Sequence, residues 1–343
     1  MGIHLVIKPL CENSGHTKIL CSRLGLGVPG RELCKVSGGF HHKMWRLDTD
    51  RGRYAIKQLS TDADMGDPGT VEHYNVTEAI GEAFASHDIG AIFALKWHAN
   101  YLQVIEDVGY LVYSWTSAVG LPSNEISAKH ALKIARILAR MHLADIQMPQ
   151  VKDAQLEIFT EEKMVSLVNR AIECNARHAT VLDEQLPDFL RILDSRRAAI
   201  RTLGDRTVIS HGDMDQTNVL WSASGDPILI DWESARRLNP TYEIVLEALE
   251  WSGIATTFQH GLFDRMISAY THAGGAIDSD SMRASFHSIL GDWLDWLMFN
   301  VGRSVDLEDD EQRLIGANQV DLALAAILRL EHLLPNLLQA GNS

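Results

Sequence analysis

A polar segment, HGDMDQTN at residues 211–218, places the carboxylate of Asp213 and the amide of Asn218 five residues apart, and Asp231 follows thirteen residues later. Phosphoryl transfer needs a group that accepts or orients the proton of the nucleophile, and hard oxygen ligands that hold Mg²⁺ on the phosphates. These three side chains could supply both. They could instead form turns and cap a helix. Their order, with each at the end of a predicted strand, favours the chemical interpretation.

A second candidate group lies earlier in the chain. Ser37, Gly38 and Gly39 form a predicted turn between two strands, and glycines let a backbone approach phosphates and donate N–H groups to them. The strand YAIK that follows ends in Lys57, a residue type that can pair with the α- and β-phosphates of a nucleotide. Such a turn and such a lysine are ordinary surface features in isolation, but the downstream motif favours a phosphate-binding role.

The predicted secondary structure changes from mainly strands to mainly helices along the chain. Apolar patterns predict strands at 34–36, 44–48, 53–59, 101–106 and 110–115, interrupted by one helix within 70–87. Helices dominate from residue 124 onward, except for a β-ribbon at 208–231 that carries the polar segment. The predicted later helices are 131–144, 161–175, 183–201, 241–255, 261–273, 280–300 and 313–340. We therefore expect an α+β protein with a nucleotide-binding lobe at 1–115, which includes a leading helical segment at 1–33. A catalytic and substrate-binding lobe at 116–343 would follow, with the active site between the lobes.

These motifs resemble the aminoglycoside phosphotransferase/choline kinase superfamily, distant relatives of protein kinases, over about residues 36–249. The resemblance implies a bilobal protein-kinase-like fold and transfer of the γ-phosphoryl group of ATP, with GTP not excluded, to a hydroxyl of a small molecule. It implies that Asp213 is the catalytic base and that Asn218 and Asp231 bind Mg²⁺.

The resemblance also implies that a glutamate on the helix within 70–87 holds Lys57. Glu78 and Glu82 lie four residues apart on the same helical face, so their spacing leaves both open, and the family pattern favours Glu78. His42 stands where many relatives carry Asn.

The strand at 110–115 resembles the one that enters the interlobe hinge of the family. By that resemblance, the backbone of Tyr113 and Trp115 would bond to the edge of adenine. Gly212 and the dipeptide at 232–233 depart from the protein-kinase pattern, and no room is left for an activation loop that docks a peptide. A protein substrate is therefore not expected.

We expect acidic residues of the C-terminal half to determine the selectivity for the acceptor. Asp215, Asp292 and Asp295 are candidates, the last two among tryptophans. The net charge of −14, from 31 basic and 45 acidic residues, disfavours nucleic-acid binding and favours an amine-bearing acceptor. The alternatives are a kinase of a metabolic alcohol, of the choline, amino sugar or homoserine type, and a non-catalytic nucleotide-binding module. The intact Asp213 and Lys57 argue against such a module.

Location is addressed by three further patterns. No apolar stretch approaches the ~20 residues that a membrane span needs, and the N-terminus lacks the pattern of a signal peptide. The four cysteines show neither CxxC pairing nor metal-ligand spacing, which is typical of reduced thiols. We expect a cytoplasmic protein that does not bind membranes.

Overall fold

The structure is a computed structural model that describes residues 14–36, 42–151, 159–306 and 310–340. The strands are, in chain order, β1 (Pro29–Val36), β2 (Lys43–Thr49), β3 (Arg53–Gln58), β4 (Gln103–Ile105), β5 (Val108–Ser114), β6 (Val119–Gly120), β7 (Val208–Ser210), β8 (Val219–Trp221), β9 (Pro227–Leu229) and β10 (Arg236–Leu238). The helices are α1 (Ser14–Leu24), α2 (Pro68–Ala85), α3 (Ala128–Ala144), α4 (Glu161–Glu173), α5 (Ala179–Leu203), α6 (Pro240–Trp251), α7 (His260–His272), α8 (Ser279–Asp306) and α9 (Asp310–Ala340).

The described residues form two compact units. The N-terminal unit contains the residues up to Leu121 together with Thr217–Ala235, and the C-terminal unit contains Pro122–Gln216 and the residues from Arg236 onward. The predicted boundary at residue 115 places 217–235 in the second lobe, whereas this segment packs with the N-terminal unit. The reason is hydrogen bonding, because the N–H of Ile92 donates to the carbonyl oxygen of Leu229 at 2.9 Å.

A five-stranded antiparallel sheet, in the order β1-β2-β3-β5-β4, forms the centre of the N-terminal unit. Successive side chains of a strand point to opposite faces of the sheet. On β3, Ile56 therefore packs with Trp45 in the core that α1 covers. The next residue, Lys57, points to the opposite face, where its register partner Leu111 packs in the core that includes Tyr74 of α2.

Helix α2 covers this second face. Asp67 caps it by accepting two backbone N–H groups of the first turn, and Pro68 occupies a position where no N–H is needed. Gly81 lies against the indole of Trp232, so close that a Cβ atom there would be 2.8 Å from the ring. This approach lets Trp232 stack on Phe84, with ring centroids 5.7 Å apart.

The C-terminal unit is mainly helical. Helix α8 packs against α5, α6 and α9, while β7 and β10 form a short antiparallel pair. Helix α6 begins with Asn239 as its cap, which accepts the backbone N–H groups of Thr241 and Tyr242. The helix is almost entirely buried, including the side chains of Glu243 and Glu247.

The predicted fold class is confirmed: a small antiparallel sheet with one key helix precedes a larger, mainly helical part. The leading helical segment differs from the prediction, because α1 ends at Leu24 and residues 29–33 already belong to β1. Within the described residues, every helix is too short or too polar to span a bilayer.

Candidate active site

The hairpin of β8 and β9 positions Asp231 in the N-terminal unit. The N–H of Ile230 donates to the carbonyl oxygen of Asn218 at 3.0 Å. One predicted metal ligand, Asn218, therefore accepts this bond, and the other, Asp231, directly follows its donor. Asp231 has φ 64° and ψ 67°, a left-handed conformation that is uncommon for a residue with a side chain and often marks functional sites. The indole of the next residue, Trp232, is fully buried and donates to the carbonyl oxygen of Ile92.

Lys57 joins two carboxylates of this hairpin. Its Nζ donates to Oδ1 of Asp231 at 2.7 Å and to Oε2 of Glu233 at 2.9 Å. Burial lowers the pKa of Lys57, but the charges of Asp231 and Glu233 outweigh it and hold this pKa above its ordinary value. Burial would raise the pKa of Glu233, yet bonds from His42 and Lys57 lower it to about 2. The site therefore contains a fixed ammonium between two carboxylates.

The predicted pair of Lys57 with a glutamate of α2 is wrong in this structure. Glu78 is buried and accepts hydrogen bonds from the hydroxyl of Tyr113 at 2.7 Å and the N–H of Ala94 at 2.7 Å. Burial raises the pKa of Glu78 to about 7. Glu82 instead pairs with Lys96, so neither glutamate bonds to the strand lysine.

The backbone groups that are predicted to contact adenine take part in hydrogen bonds of the sheet. The N–H of Trp115 donates to the carbonyl oxygen of Arg53 at 3.1 Å and is therefore already bonded. Tyr113 pairs with Ala55 across the sheet, and its side chain holds Glu78.

The predicted glycine turn at Ser37, Gly38 and Gly39 lies outside the described residues. The first residue described beyond it is His42, whose ring bonds on both sides. Its Nδ1 accepts the N–H of Ser60, and its Nε2 bonds to Oε2 of Glu233, each at 3.1 Å.

The loop that carries Asp213 follows β7 in the C-terminal unit and forms hydrogen bonds with side chains of α6. The N–H of Gly212 donates to Glu243 at 2.7 Å, and the N–H of Met214 donates to Glu247 at 2.8 Å. Gly212 has φ 78°, a conformation that favours glycine. The residues before and after Asp213 thus donate their N–H groups to carboxylates one helical turn apart.

Glu243 also belongs to a buried chain of polar side chains. Its Oε2 accepts from Nε2 of His142 at 2.7 Å, and Nδ1 of that ring bonds to the hydroxyl of Tyr270 at 2.8 Å. Burial works to raise the pKa of Glu243, but the hydrogen bond and electrostatic attraction of His142 hold this pKa below its usual value. An ionised carboxylate therefore supports the loop.

The other carboxylates of α6 behave in the opposite way. Burial raises the pKa of Glu247 well above its ordinary value, and the charge of Asp213 adds to the effect. Burial, followed by the charges of Asp215 and Asp213, raises the pKa of Glu250 to about 8. The carboxylates of Asp213 and Asp215 therefore present negative charge to this part of α6.

Asp292 and Asp295 have structural partners. Arg196, of which only 2% is exposed, forms ion pairs with both, and Tyr242 donates its hydroxyl to Asp292 at 2.6 Å. Arg196 therefore neutralises part of the charge of these two carboxylates. Acceptor binding by Asp215, Asp292 and Asp295 stays a prediction.

The donor set of the hairpin fits Mg²⁺ bound together with a nucleotide. Within the four described ranges, no three His, Cys, Asp or Glu side chains form a metal-binding group. Mg²⁺ commonly uses only one or two protein oxygens, with phosphates and water completing the shell. Asp231 already accepts a cation, the ammonium of Lys57, and 34% of its side chain remains exposed.

Sequence reasoning missed several residues of this site. In the sequence, Glu233 and His42 stand out only as departures from related patterns. The bond between these two side chains joins positions that are 191 residues apart. Glu243 and Glu247 gave a detectable signal, since they are two of three acidic residues that interrupt a mainly apolar helix, and they lie four residues apart.

Comparison with known protein families matches residues 32–284 to the phosphotransferase enzyme family (APH). The match covers more than half of the chain, and the chain belongs to this family. The predicted resemblance and the predicted class of enzyme, a phosphotransferase, are confirmed. No curated protein sequence matches the chain.

Solved structures share the fold at low identity. Spectinomycin phosphotransferase APH(9)-Ia, solved with ADP and spectinomycin, has a TM-score of 0.66 and 14% identity, covering 91% of this chain and 96% of its own. Choline kinase LicA from Streptococcus pneumoniae has a TM-score of 0.56 and 17% identity, covering 92% and 99%. Plasmodium vivax ethanolamine kinase has a TM-score of 0.56 and 13% identity, covering 85% and 81%.

Proposed function

We propose that this protein transfers the γ-phosphoryl group of ATP to a hydroxyl of a small, amine-bearing molecule, with Mg²⁺ as cofactor. The observation that carries the proposal is the meeting of Lys57, Asp231 and Glu233 in the N-terminal unit. A buried strand lysine and the carboxylate after the hairpin are the two groups that the chemistry needs at the phosphates.

Lys57 would bind the phosphates as a permanently charged donor, because its two carboxylate partners keep it protonated. Asp231 and Asn218 would hold Mg²⁺, which would neutralise the charge that develops on the phosphates. The spectinomycin phosphotransferase was solved with ADP and with AMP, which supports an adenine nucleotide as the donor. Use of ATP favours the cytoplasmic location that the sequence predicts.

Asp213 would orient the hydroxyl of the acceptor and take its proton. The two backbone bonds to Glu243 and Glu247 support this role, because they fix the residues before and after Asp213. A general base must be held within hydrogen-bonding reach of the proton that it removes.

An amine-bearing acceptor is supported by the charge around this loop. The fields of Asp213 and Asp215 help to raise the pKa of Glu250 to about 8, and a cation bound there would relieve the same repulsion. Two relatives are named for spectinomycin, which carries secondary amines, and for choline, which carries a quaternary ammonium group.

An ADP-release assay tests the proposal against aminoglycosides, amino alcohols and neutral sugars, with ATP or GTP as donor and with or without EDTA. We expect turnover with a cationic alcohol that EDTA abolishes. A preference for a neutral sugar would contradict the amine-bearing acceptor. Nucleotide binding without turnover of any acceptor would favour a non-catalytic module.

Asp213→Asn keeps the shape of the side chain but cannot take a proton. We expect kcat to fall by about 10²–10⁴-fold, the range for a positioned general base, while the affinity for ATP changes little. Asp215→Asn is the matched control and should alter only the KM of the acceptor. The reverse pattern would show that the catalytic residue had been placed two positions too early.

A further inference from the structure

His42 is held in one orientation just before β2. Its side chain is 10% exposed, and its ring lies edge-on to Tyr74, with centroids 6.4 Å apart. Nδ1 accepts the backbone N–H of Ser60, so this nitrogen carries no proton. The ring proton is therefore on Nε2, which must donate it to Glu233.

Glu233 is consequently fixed from two directions. Its backbone follows Trp232, whose buried indole bonds to the N-terminal unit, and its Oε2 accepts from His42. The same oxygen accepts from Nζ of Lys57 at 2.9 Å. The chain His42–Glu233–Lys57 thus connects the segment after the glycine turn to the strand lysine.

Lys57 has no hydrogen bond to Glu78 of α2, because other groups occupy both oxygens of this glutamate. Glu78 bonds to Tyr113 and Ala94. The other partner of the lysine is Asp231, which the proposed function assigns to Mg²⁺. A carboxylate shared with a metal has less charge to offer an ammonium, so Glu233 is the counter-charge that remains for Lys57 when a nucleotide is bound.

We propose that His42 is a positioning residue that holds Glu233, and that Glu233, rather than a glutamate of α2, places Lys57 on the phosphates of the nucleotide. This inference rests on the proposed function. It predicts that His42 affects the binding of ATP only through Glu233.

Two substitutions of His42 separate this role from a general structural one. The amide nitrogen of Gln lies four bonds from Cα, as Nε2 of His does, so His42→Gln can keep the N–H bond to Glu233. His42→Leu fills the space but forms neither bond of the ring. Titration calorimetry with Mg²⁺ and a non-hydrolysable ATP analogue gives the Kd of each variant, and steady-state kinetics gives KM and kcat.

We expect His42→Leu to raise Kd and the KM for ATP by about tenfold, the effect of losing one hydrogen bond to a charged group, with a smaller change in kcat. His42→Gln should restore most of the affinity. Glu233→Gln should weaken binding at least as much, and the double variant His42→Leu/Glu233→Gln should be no weaker than Glu233→Gln alone. His73→Leu is the matched control, because His73 contacts the same Tyr74 ring but is exposed.

Three results would overturn the inference: an unchanged Kd in His42→Leu, equal damage from Gln and Leu, or full additivity in the double variant. Thermal unfolding shows whether each variant folds, and His42→Ala replaces His42→Leu if the latter does not. Lys57→Met separates the two levels of the argument. If it weakens binding while the His42 variants do not, only the inference fails. If the wild type binds no nucleotide, the proposed function fails with it.

Discussion

Each unit of this protein contains a Tyr–His–Glu chain with nearly the same geometry. In the N-terminal unit, His16 bonds through Nδ1 to the hydroxyl of Tyr110 at 2.8 Å and through Nε2 to Glu106 at 3.1 Å. In the C-terminal unit, His142 bonds to Tyr270 at 2.8 Å and to Glu243 at 2.7 Å. The carboxylates differ, because the side chain of Glu106 is 79% exposed and that of Glu243 is fully buried.

Burial should determine how much each of these two chains contributes to stability, since both contain the same three residue types. Water can replace the histidine as a partner of Glu106, so this pair should contribute little to stability. Glu243 has no access to water, and it also accepts the N–H of Gly212 beside the catalytic loop. The buried chain should therefore stabilise the fold and position Asp213, whereas the exposed chain should do neither.

The largest expected effect comes from Glu243→Gln. The amide keeps an oxygen for Gly212 but turns an NH₂ group toward the Nε2–H of His142, which leaves a buried donor without an acceptor. We expect a loss of about 3 kcal/mol in the free energy of unfolding, as for other broken buried pairs. Urea denaturation followed by tryptophan fluorescence measures it.

The same variant has a functional readout. Because Gly212 adjoins Asp213, kcat should fall along with stability, while the affinity for ATP is kept. A variant that lost less than about 1 kcal/mol and kept its full kcat would make the buried chain equivalent to the exposed one.

This comparison also shows what the sequence could predict. The order of the HGDMDQTN segment, Asp231 and Lys57 was sufficient to predict the chemistry and the fold class, because backbone elements and chemical types are encoded locally. The partners of these residues were not predictable. Lys57 bonds to Glu233 rather than Glu78 because Tyr113 holds Glu78, a competition between side chains 35 residues apart. The buried Arg196 is almost a hundred residues from the aspartates that it neutralises, so these looked like open carboxylates.

An intermediate effect, with a definite dependence on pH, is expected from Glu247→Gln. Unfolded Glu247 ionises near its ordinary pKa, about 4.3, whereas burial keeps it protonated to much higher pH in the folded protein. Raising the pH therefore favours unfolding of the wild type, by up to about 1.4 kcal/mol per pH unit above that value. Gln keeps the bond from Met214 and cannot ionise.

Unfolding free energies between pH 5 and pH 8 test this prediction. The advantage of Glu247→Gln over the wild type should grow as the pH rises. Glu243 has the opposite sign, because its pKa is lowered in the folded state. Its contribution is present above its unfolded pKa and is lost as the pH falls below about 4. A pH-independent difference for Glu247→Gln would mean that this carboxylate is ionised in the folded protein.

The smallest effect is expected from Glu106→Gln, the counterpart of Glu243→Gln in the exposed chain. Gln is the suitable replacement because residue 106 has φ 49°, where a change of side-chain length would add backbone effects to the loss of charge. We expect the free energy of unfolding to change by about 0–1 kcal/mol, the range for exposed ion pairs, and the difference from the wild type to shrink with added salt. Activity should stay at the wild-type level, since no residue of the candidate site bonds to Glu106 or His16 within the described part of the chain. A loss as large as that of Glu243→Gln would mean that the bond to His16, and not the exposure of the carboxylate, determines the stability of such a chain.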